Sequence, residues 1–135
     1  MRNWIMIRRM AAVIGTAGAL LATSAPAYAA TNPYTPREVC GSAFHVIDHH
    51  NISGAVVYLL YNGSSNCVTT IKTASVGRPT ATRATLLVRG GGGGDDLGNY
   101  RYFAGPVKAA ARGKCIRWGG ATSGGSYLSP WGHCR

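Results

Sequence analysis

Four cysteines constrain the fold of this chain more than any other feature of its sequence. Cys40, Cys67, Cys115 and Cys134 all follow an N-terminal segment with the character of an export signal. An even number of cysteines in a short exported chain is typical of disulfide bonds, and no Cys-x-x-Cys spacing indicates a metal site. The sequence therefore predicts two disulfides, each stabilising the fold by about 3 kcal/mol through the unfolded state.

The N-terminal segment has the composition of a secretory signal peptide. Three arginines surround its start, an apolar run covers residues 10–21, and Ala27-Tyr28-Ala29 matches the small-x-small pattern of a cleavage site. The apolar run is too short to span a bilayer comfortably. We therefore predict a signal peptide over residues 1–29, a secreted, extracellular protein, and no membrane span after cleavage.

The remaining 106 residues are strongly basic. Three of the 14 basic residues lie in the predicted signal peptide and all four acids follow it, which leaves a net charge of +7. This charge serves solubility and favours anionic partners, but the basic residues are scattered rather than arranged in the stripe of a nucleic-acid binder. We expect no stable nucleic-acid complex, and we take wall glycan or an anionic polymer as the candidate partner.

The pattern of the chain after residue 29 predicts a short arm followed by one domain. Residues 30–39 contain two prolines among small polar residues, which predicts a flexible, extended N-terminal arm. Residues 40–135 contain short β-branched and aromatic runs separated by turn residues. The predicted strands are residues 44–48, 55–61, 67–73, 82–89, 99–104, 107–111 and 115–118. We predict a single all-β domain, a small antiparallel β-sandwich or barrel of about seven strands stapled by two disulfides.

The turns indicate how the strands and the cysteines pair. The stretch from Asn62 to Asn66 consists of turn-forming residues, so residues 55–73 are predicted to form a hairpin around it. Residues 49–54 are predicted to form a looser turn from the preceding strand. Antiparallel pairing around that turn places Cys40 near Cys67, and we therefore prefer the pairings Cys40 with Cys67 and Cys115 with Cys134 among the three possible.

The five glycines of residues 90–94 are followed by two aspartates. Glycine loses more backbone freedom on ordering than any other residue, so this run predicts a mobile loop. A role in binding phosphate is disfavoured because the adjacent carboxylates would repel an anion.

Groups able to catalyse a reaction are few. The acids are Glu38, Asp48, Asp95 and Asp96. No pair of facing carboxylates, as a glycosidase requires, is predicted from their positions. His45, His49 and His50 surround Asp48, but we interpret them as a polar turn rather than a metal site. We predict no enzymatic activity, no catalytic residue, no cofactor and no metal. The enzymatic alternative is a small basic ribonuclease that would use His133 and Arg117.

Aromatic and cationic side chains of the C-terminal third are better candidates for binding. Rings on half-solvated strands commonly stack on sugars or dock a protein, and residues 100–102 and 115–118 alternate as such strands do. The candidate surface-binding residues are Tyr100, Tyr102, Arg117, Trp118, Tyr127 and Trp131. Among them Trp118 is the most prone to burial, because Gly119 and Gly120 allow a neighbouring strand to approach closely.

Several segments resemble the spore-associated protein A family of small exported actinomycete proteins. They are Cys40-Gly41-Ser42, residues 57–62, Asn66-Cys67-Val68-Thr69, residues 102–107, residues 113–120 and His133-Cys134. The Ala-Gly-Pro-Val and Cys-Ile-x-Trp-Gly-Gly blocks are the most specific. The resemblance implies a non-enzymatic protein on or around spores, without established biochemical activity or active residues.

Three functions follow as hypotheses. The preferred one is a secreted protein associated with a spore or cell surface that binds wall glycan or another surface component. The second is a secreted inhibitor of an amylase or protease, whose reactive loop would be residues 62–66 beside Cys67. This loop lacks the Trp-Arg-Tyr triplet of amylase inhibitors, and we therefore rank the inhibitor hypothesis below the first. The third is the ribonuclease, and the oligomeric state is not predicted.

Overall fold

Short β-branched runs separated by turn residues form eight strands within residues 30–135. The computed structural model describes residues 30–135, so the predicted signal peptide lies outside the described residues. The elements are α1 (Pro36–Cys40), β1 (His45–Ile52), β2 (Ala55–Tyr61), β3 (Ser65–Lys72), β4 (Thr80–Val88), β5 (Gly93–Tyr100), β6 (Phe103–Ala110), β7 (Ile116–Thr122) and β8 (Gly125–Leu128).

The strands form two antiparallel sheets of four strands each. The first sheet has the order β1-β2-β3-β6, and the second has the order β5-β4-β7-β8. The predicted all-β class is confirmed, with eight strands in place of about seven. No helix within residues 30–135 has the length and apolar character needed to cross a membrane.

Both predicted disulfides are present. Cys40 is bonded to Cys67, and Cys115 is bonded to Cys134. The first bond lies on the outer side of the first sheet, where α1 covers a small second core formed with Phe44, Leu60 and Tyr58. This cover explains why β2 is apolar on both faces, and β2 is a central strand as its sequence predicts.

The prediction of an extended, weakly anchored N-terminal arm is wrong for residues 32–39. Thr35 and Glu38 form a capping box at the start of α1, and the side-chain amide of Asn32 donates to the carbonyl oxygens of Lys72 and Tyr102 at 3.0 and 2.7 Å. The hydrogen bond from Thr35 lowers the pKa of Glu38. The Asn32 bonds dock the segment where β3 ends and β6 begins, which its polar composition does not reveal.

The first hairpin is longer than predicted. β1 continues through His49 and His50 to Ile52, so the turn contains only Ser53 and Gly54. The predicted turn over residues 49–54 is therefore wrong. The second hairpin is as predicted, with Tyr61 opposite Asn66 and the side chain of Asn62 accepting from the amides of Ser64 and Ser65.

The glycine run does not remain a loop along its whole length. β5 begins at Gly93 and places Asp95 opposite Thr85 on β4. Asp95 accepts hydrogen bonds from Arg83 and Thr85, and Asp96 accepts one from the backbone N–H of Gly105 at 2.8 Å. These side-chain bonds to other strands offset the loss of glycine backbone freedom, so the predicted mobile loop is wrong for residues 93–96.

The main core lies between the two sheets. Its buried members are Val57, Leu59, Val68, Ala84, Leu86, Val88, Ala104, Val107, Ala111, Ile116 and Trp118. The sheets approach most closely at Gly120. A β-carbon at this position would clash with Thr70 Oγ1 and would lie 2.7 Å from the carbonyl oxygen of Arg83. Glycine is thus required by close approach at this point.

Lys72 is buried at the end of β3, with 1% of its surface exposed. Its ammonium donates to the carbonyl oxygens of Ser75, Arg78 and Tyr100 at 3.0, 2.6 and 2.9 Å. Burial lowers the pKa of Lys72, and the nearby Arg78 charge lowers it further. The three bonds tie the β3–β4 loop to the end of β5.

Candidate binding face on the second sheet

The side of the second sheet that faces away from the core is the candidate functional surface. Along β4 the even-numbered residues from Thr82 to Val88 are buried, which turns Arg83, Leu87 and Arg89 outward. We call this surface the outer face. It is formed by Arg83, Thr85, Leu87, Arg89, Asp95, Leu97, Arg117, Ala121, Ser126, Leu128 and Trp131.

A shallow trough of about 440 Å³ runs along the outer face. Small residues of β7, among them Ala121, form its floor, and larger residues of the neighbouring strands, such as Leu87 on β4 and Leu128 on β8, form its walls. Gly119 keeps the floor low because a β-carbon there would lie 2.9 Å from the Cα of Leu128. The arrangement leaves apolar walls exposed to solvent beside polar groups of Thr85 and Ser126.

One end of the trough is electrically balanced. Arg83 donates from Nε and a terminal nitrogen to the two carboxylate oxygens of Asp95 at 2.7 and 2.8 Å, and Thr85 donates to the same carboxylate at 2.6 Å. The hydrogen bond from Arg83 lowers the pKa of Asp95 most, and the bond from Thr85 lowers it further. The hydrogen bond to Asp95 in turn raises the pKa of Arg83. Both charges at this end are therefore satisfied within the protein.

The end of the outer face beyond Leu87, next to the trough, carries Trp131 with two arginines. The guanidinium carbon of Arg89 lies 4.7 Å from the centre of the indole ring, and that of Arg117 lies 5.8 Å from it. Arg117 Nε donates to the carbonyl oxygen of Ser129 at 2.8 Å, which fixes its orientation. The ring of Trp131 is 38% exposed, so this end presents an aromatic surface and two cations to solvent.

The segment that carries Trp131 is held at several points. Ile116 and Gly132 exchange backbone hydrogen bonds of 2.8 and 2.9 Å, and Ser129 Oγ accepts from the backbone N–H of Trp118 at 2.9 Å. The bond between Cys115 and Cys134 closes the segment at its end. The ring is thus presented on a rigid frame, which reduces the entropy lost on binding.

Comparisons with known proteins give one relationship. The chain is 39% identical over 114 residues to the protein named spore-associated protein A of Streptomyces coelicolor, and the match covers 79% of this chain and 73% of that protein. The chain belongs to the spore-associated protein A family. No protein-family model matches this member of the family, and no solved structure matches it.

In this spore-associated protein A family member, the six predicted surface-binding residues do not form one site. Arg117 and Trp131 meet on the outer face. Trp118 is 2% exposed and packs in the core, so its prediction as a surface-binding residue is wrong. Its position in β7 explains this, because Trp118 lies opposite Leu86 on the core side of the sheet.

The three predicted tyrosines direct their rings to contacts elsewhere, although Tyr127 on β8 also lines part of the trough. Tyr127 packs edge-on against Trp118 and stacks on His50 with ring centres 3.7 Å apart. Tyr100 packs against the core and donates from its hydroxyl to Asp96, a bond that raises its pKa. Tyr102 lies 5.4 Å from Tyr34 near the N-terminal segment. These rings are half-buried and serve packing in the described chain.

The histidines predicted to occupy a polar turn lie on β1 instead. The structure also brings together a pair that the sequence did not reveal, since His133 Nε2 lies 3.3 Å from Asp48 Oδ2. Within residues 30–135, no three His, Cys, Asp or Glu side chains are grouped so that they could hold a metal ion. The ribonuclease hypothesis gains an acid beside His133, but Arg117 extends toward Ser129 and Trp131.

The loop proposed for the inhibitor hypothesis is a tight turn. The backbone N–H of Asn62 donates to the carbonyl oxygen of Ser65 at 3.1 Å, and Gly63 has a φ of +104°. The turn is exposed but closed on itself by the Asn62 side chain. It presents a compact tip, whereas an inhibitory loop that enters an active site is usually an extended segment held at both ends.

Sequence reasoning missed the aliphatic part of the outer face. Leu97 and Leu128 are 62% and 45% exposed, and Arg89 lies beside Trp131. The alternation of residues 83–89 contained a signal for the β4 members, because the even-numbered positions 84, 86 and 88 are apolar whereas both arginines stand at odd-numbered positions. The contribution of β8 could not be found in this way because that strand was not predicted.

Proposed function

We propose that this protein is an exported, non-enzymatic component of the spore surface that binds wall glycan or another surface polymer through the outer face. Its membership of the spore-associated protein A family supports spore association. The observation that carries the proposed binding is the trough of about 440 Å³ on the same face as an exposed tryptophan flanked by two arginines.

The chemistry of the outer face suits a sugar chain. Sugar rings present apolar C–H faces to aromatic and aliphatic side chains, and their hydroxyl groups bond to polar side chains at the edges. Leu87, Leu128 and Trp131 supply the apolar contacts, and Thr85 and Ser126 supply hydroxyl groups. Exposed apolar residues gathered on one face of a small protein indicate an interaction surface.

The length of the face fits an extended polymer. Arg83 on β4 and Arg89, directly after the end of that strand, lie six residues apart, and a strand rises about 3.3 Å per residue, so the face extends for about 20 Å. It is open along its sides, which lets a chain enter without a free end. A small soluble metabolite would contact only a fraction of such a surface.

Binding to insoluble wall material tests this proposal. Purified, disulfide-bonded protein is incubated with spore walls and with vegetative walls, and the bound fraction is measured after sedimentation. We expect Trp131→Ala to lower the affinity by about tenfold or more, as is typical of a central aromatic contact. Tyr34→Ala is the control, because Tyr34 is a ring of similar exposure outside the outer face.

Two results would reject the proposal. The first is wild-type protein that stays in the supernatant with both kinds of wall at low ionic strength. The second is Trp131→Ala protein that binds walls as tightly as wild type while the Tyr34→Ala control weakens binding.

A further inference from the structure

The two arginines beside Trp131 have no internal counter-charge. Within residues 30–135, the ion pairs are Arg83 with Asp95 and His133 with Asp48. Neither pair includes Arg89 or Arg117. The outer face therefore has one neutralised end and one end with two uncompensated cations.

The two guanidinium groups lie beside the same indole ring. Arg117 lies opposite Leu87 on β4, so Arg89 is its diagonal neighbour across the strand pair. The backbone N–H of Arg89 donates to the carbonyl oxygen of Cys115 at 2.9 Å, which fixes the base of this side chain beside β7. Two like charges around one ring repel one another, and contact with the indole compensates for only part of that repulsion.

An anion between the two groups would remove the repulsion. The Nε of Arg117 is already bound to Ser129, so its two terminal nitrogens remain for a ligand. Guanidinium groups match the spacing of the two oxygens of a carboxylate or a phosphate and bind them through paired hydrogen bonds. Such bonds are stronger than neutral ones and are directional.

We propose that Arg89 and Arg117 form a subsite for the acidic group of an anionic surface polymer, a phosphodiester or a carboxylate carried on a sugar or polyol chain. This inference rests on the proposed function, because it assigns the ligand class of the same outer face. The part of Trp131 that the two arginines leave exposed contacts the unit next to the acidic group, and the trough holds the units that follow.

The rest of the outer face favours binding of the acidic group at the Trp131 end. At the opposite end Asp95 neutralises Arg83 and would repel a second anion. A polymer with an acidic group on every unit would therefore bind mainly at the Trp131 end, whereas uncharged units fit the trough. The frame formed by Ser129, Gly132 and the Cys115–Cys134 bond holds the subsite in place before the ligand arrives.

Competition and direct titration test the subsite. Purified, disulfide-bonded protein is titrated with a soluble poly(glycerol phosphate) teichoic acid, with polygalacturonate and with neutral dextran. We expect the phosphodiester polymer or the carboxylate polymer to bind and dextran to bind at least tenfold more weakly. Whichever anionic polymer binds better identifies the acidic group. Raising the ionic strength should weaken binding of the anionic polymer.

Charge-removing variants give the residue assignment. Arg89→Gln and Arg117→Gln should each lower the affinity for the anionic polymer by about tenfold. Arg117→Lys should recover only part of the loss, because lysine keeps the charge but lacks the planar pair of donors. Arg78→Gln removes one charge from the β3–β4 loop and is the matched control, with an expected change of less than twofold.

Three outcomes would overturn the subsite. They are equal binding of dextran and the anionic polymers, no difference between Arg117→Gln and Arg78→Gln, and binding of a single-stranded oligonucleotide as tight as that of the glycan polymers. If Trp131→Ala abolishes wall binding while both arginine variants bind normally, the subsite is rejected and the proposed function remains. If wild-type protein binds the soluble anionic polymer but no wall, the proposed function is rejected and the subsite remains.

Discussion

His133 Nε2 lies 3.3 Å from Asp48 Oδ2 and joins the C-terminal segment to the edge strand of the other sheet. Two backbone irregularities position the side chains that form this contact. A register shift between Val46 and Asp48 re-aims the carboxylate, and His133 has a left-handed φ of +49° that few non-glycine residues adopt. The segment that presents Trp131 is therefore fastened to both sheets, to the second by Cys134 and to the first by His133.

The pair invites a test for ribonuclease activity. We expect purified protein to cleave RNA no faster than background, and His133→Ala to leave that rate unchanged. Cleavage needs an acid-base pair and a cation around one phosphate, and the guanidinium of Arg117 is directed toward Trp131 on the outer face. Asp48→Asn protein prepared in parallel controls for contaminating nuclease. Wild-type cleavage that disappears in His133→Ala would establish the enzymatic alternative.

Gly120 provides a test of the contact between the sheets. A methyl group at this position would clash with Thr70 Oγ1 and would lie 3.0 Å from Val57 Cγ2, so we expect Gly120→Ala to destabilise the protein by about 1–3 kcal/mol. Urea unfolding measures the change. Gly132→Ala is the matched control, because no atom lies within 4 Å of the β-carbon that it adds. Equal stability of the two variants would show that the sheets are not closely packed at Gly120.

Features that depend on strand pattern were predictable from the sequence. The hairpin of β2 and β3 follows from apolar and β-branched runs on either side of a stretch of turn residues, and antiparallel pairing of β1 with β2 brings Cys40 to the end of the sheet where Cys67 lies. The burial of Trp118 and the outward position of Arg117 also follow from strand alternation once Ile116 is assigned to the core. Local sequence determines these features because neighbouring residues share one strand.

Features that depend on long-range side-chain contacts were not predictable. Asn32 docks the N-terminal segment by bonds to residues 40 and 70 positions away, and His133 meets Asp48 across 85 positions. Asp95 and Asp96 turn a glycine-rich stretch into a strand by bonding to partners on other strands. No local pattern contains such contacts. The outer face could therefore be predicted only in part, through Arg117 and Trp131.

Replacement of Lys72 tests how much a buried cation that is bound only by carbonyl oxygens contributes to the stability of the fold. Lys72→Met fills a similar volume but removes the ammonium donor from three carbonyl oxygens, of which that of Ser75 keeps the backbone N–H of Arg78. Since an unpaired buried polar group is unfavourable by about 1–3 kcal/mol, we expect a loss of about that size in the free energy of unfolding. Lys108→Met is the control, because Lys108 is exposed above the ring of Phe44 and should change stability by less than about 1 kcal/mol. A Lys72→Met protein as stable as this control would show that the three hydrogen bonds of Lys72 do not stabilise the fold.

The hydrogen bonds of Asp95 predict that the folded protein loses stability in acidic solution. Hydrogen bonds from Arg83 and Thr85 lower its pKa in the folded protein, so the folded state favours the carboxylate. The resulting stabilisation is present above the ordinary aspartate pKa of about 4 and is lost as the pH falls through the lowered value.

We therefore expect wild type to exceed Asp95→Asn in stability by a constant amount above about pH 5, and the difference to shrink in more acidic solution. The amount should be below about 1 kcal/mol because both partners are partly exposed. Urea unfolding at a series of pH values measures it. Thr85→Val, which removes one of the two donors, should give an intermediate profile. Parallel pH profiles for wild type and Asp95→Asn would refute the prediction.

The two disulfides are expected to differ in what they contribute to binding. The Cys115–Cys134 bond spans 19 residues and should stabilise the fold by about 3 kcal/mol, and the Cys40–Cys67 bond spans 27 residues and should contribute a similar amount. Replacing either pair by serine should therefore lower the unfolding midpoint in urea by comparable amounts.

Only replacement of the Cys115–Cys134 pair should impair wall binding by the folded protein. Loss of the Cys115–Cys134 bond frees the end of the segment that carries Trp131, whereas the Cys40–Cys67 bond lies under α1 on the far side of the first sheet. Binding is measured at a temperature at which circular dichroism shows both variants to be folded. If the Cys115→Ser/Cys134→Ser protein then binds walls as tightly as wild type, the hydrogen bonds between Ile116 and Gly132 are sufficient to hold the ring, and the bond contributes to stability alone.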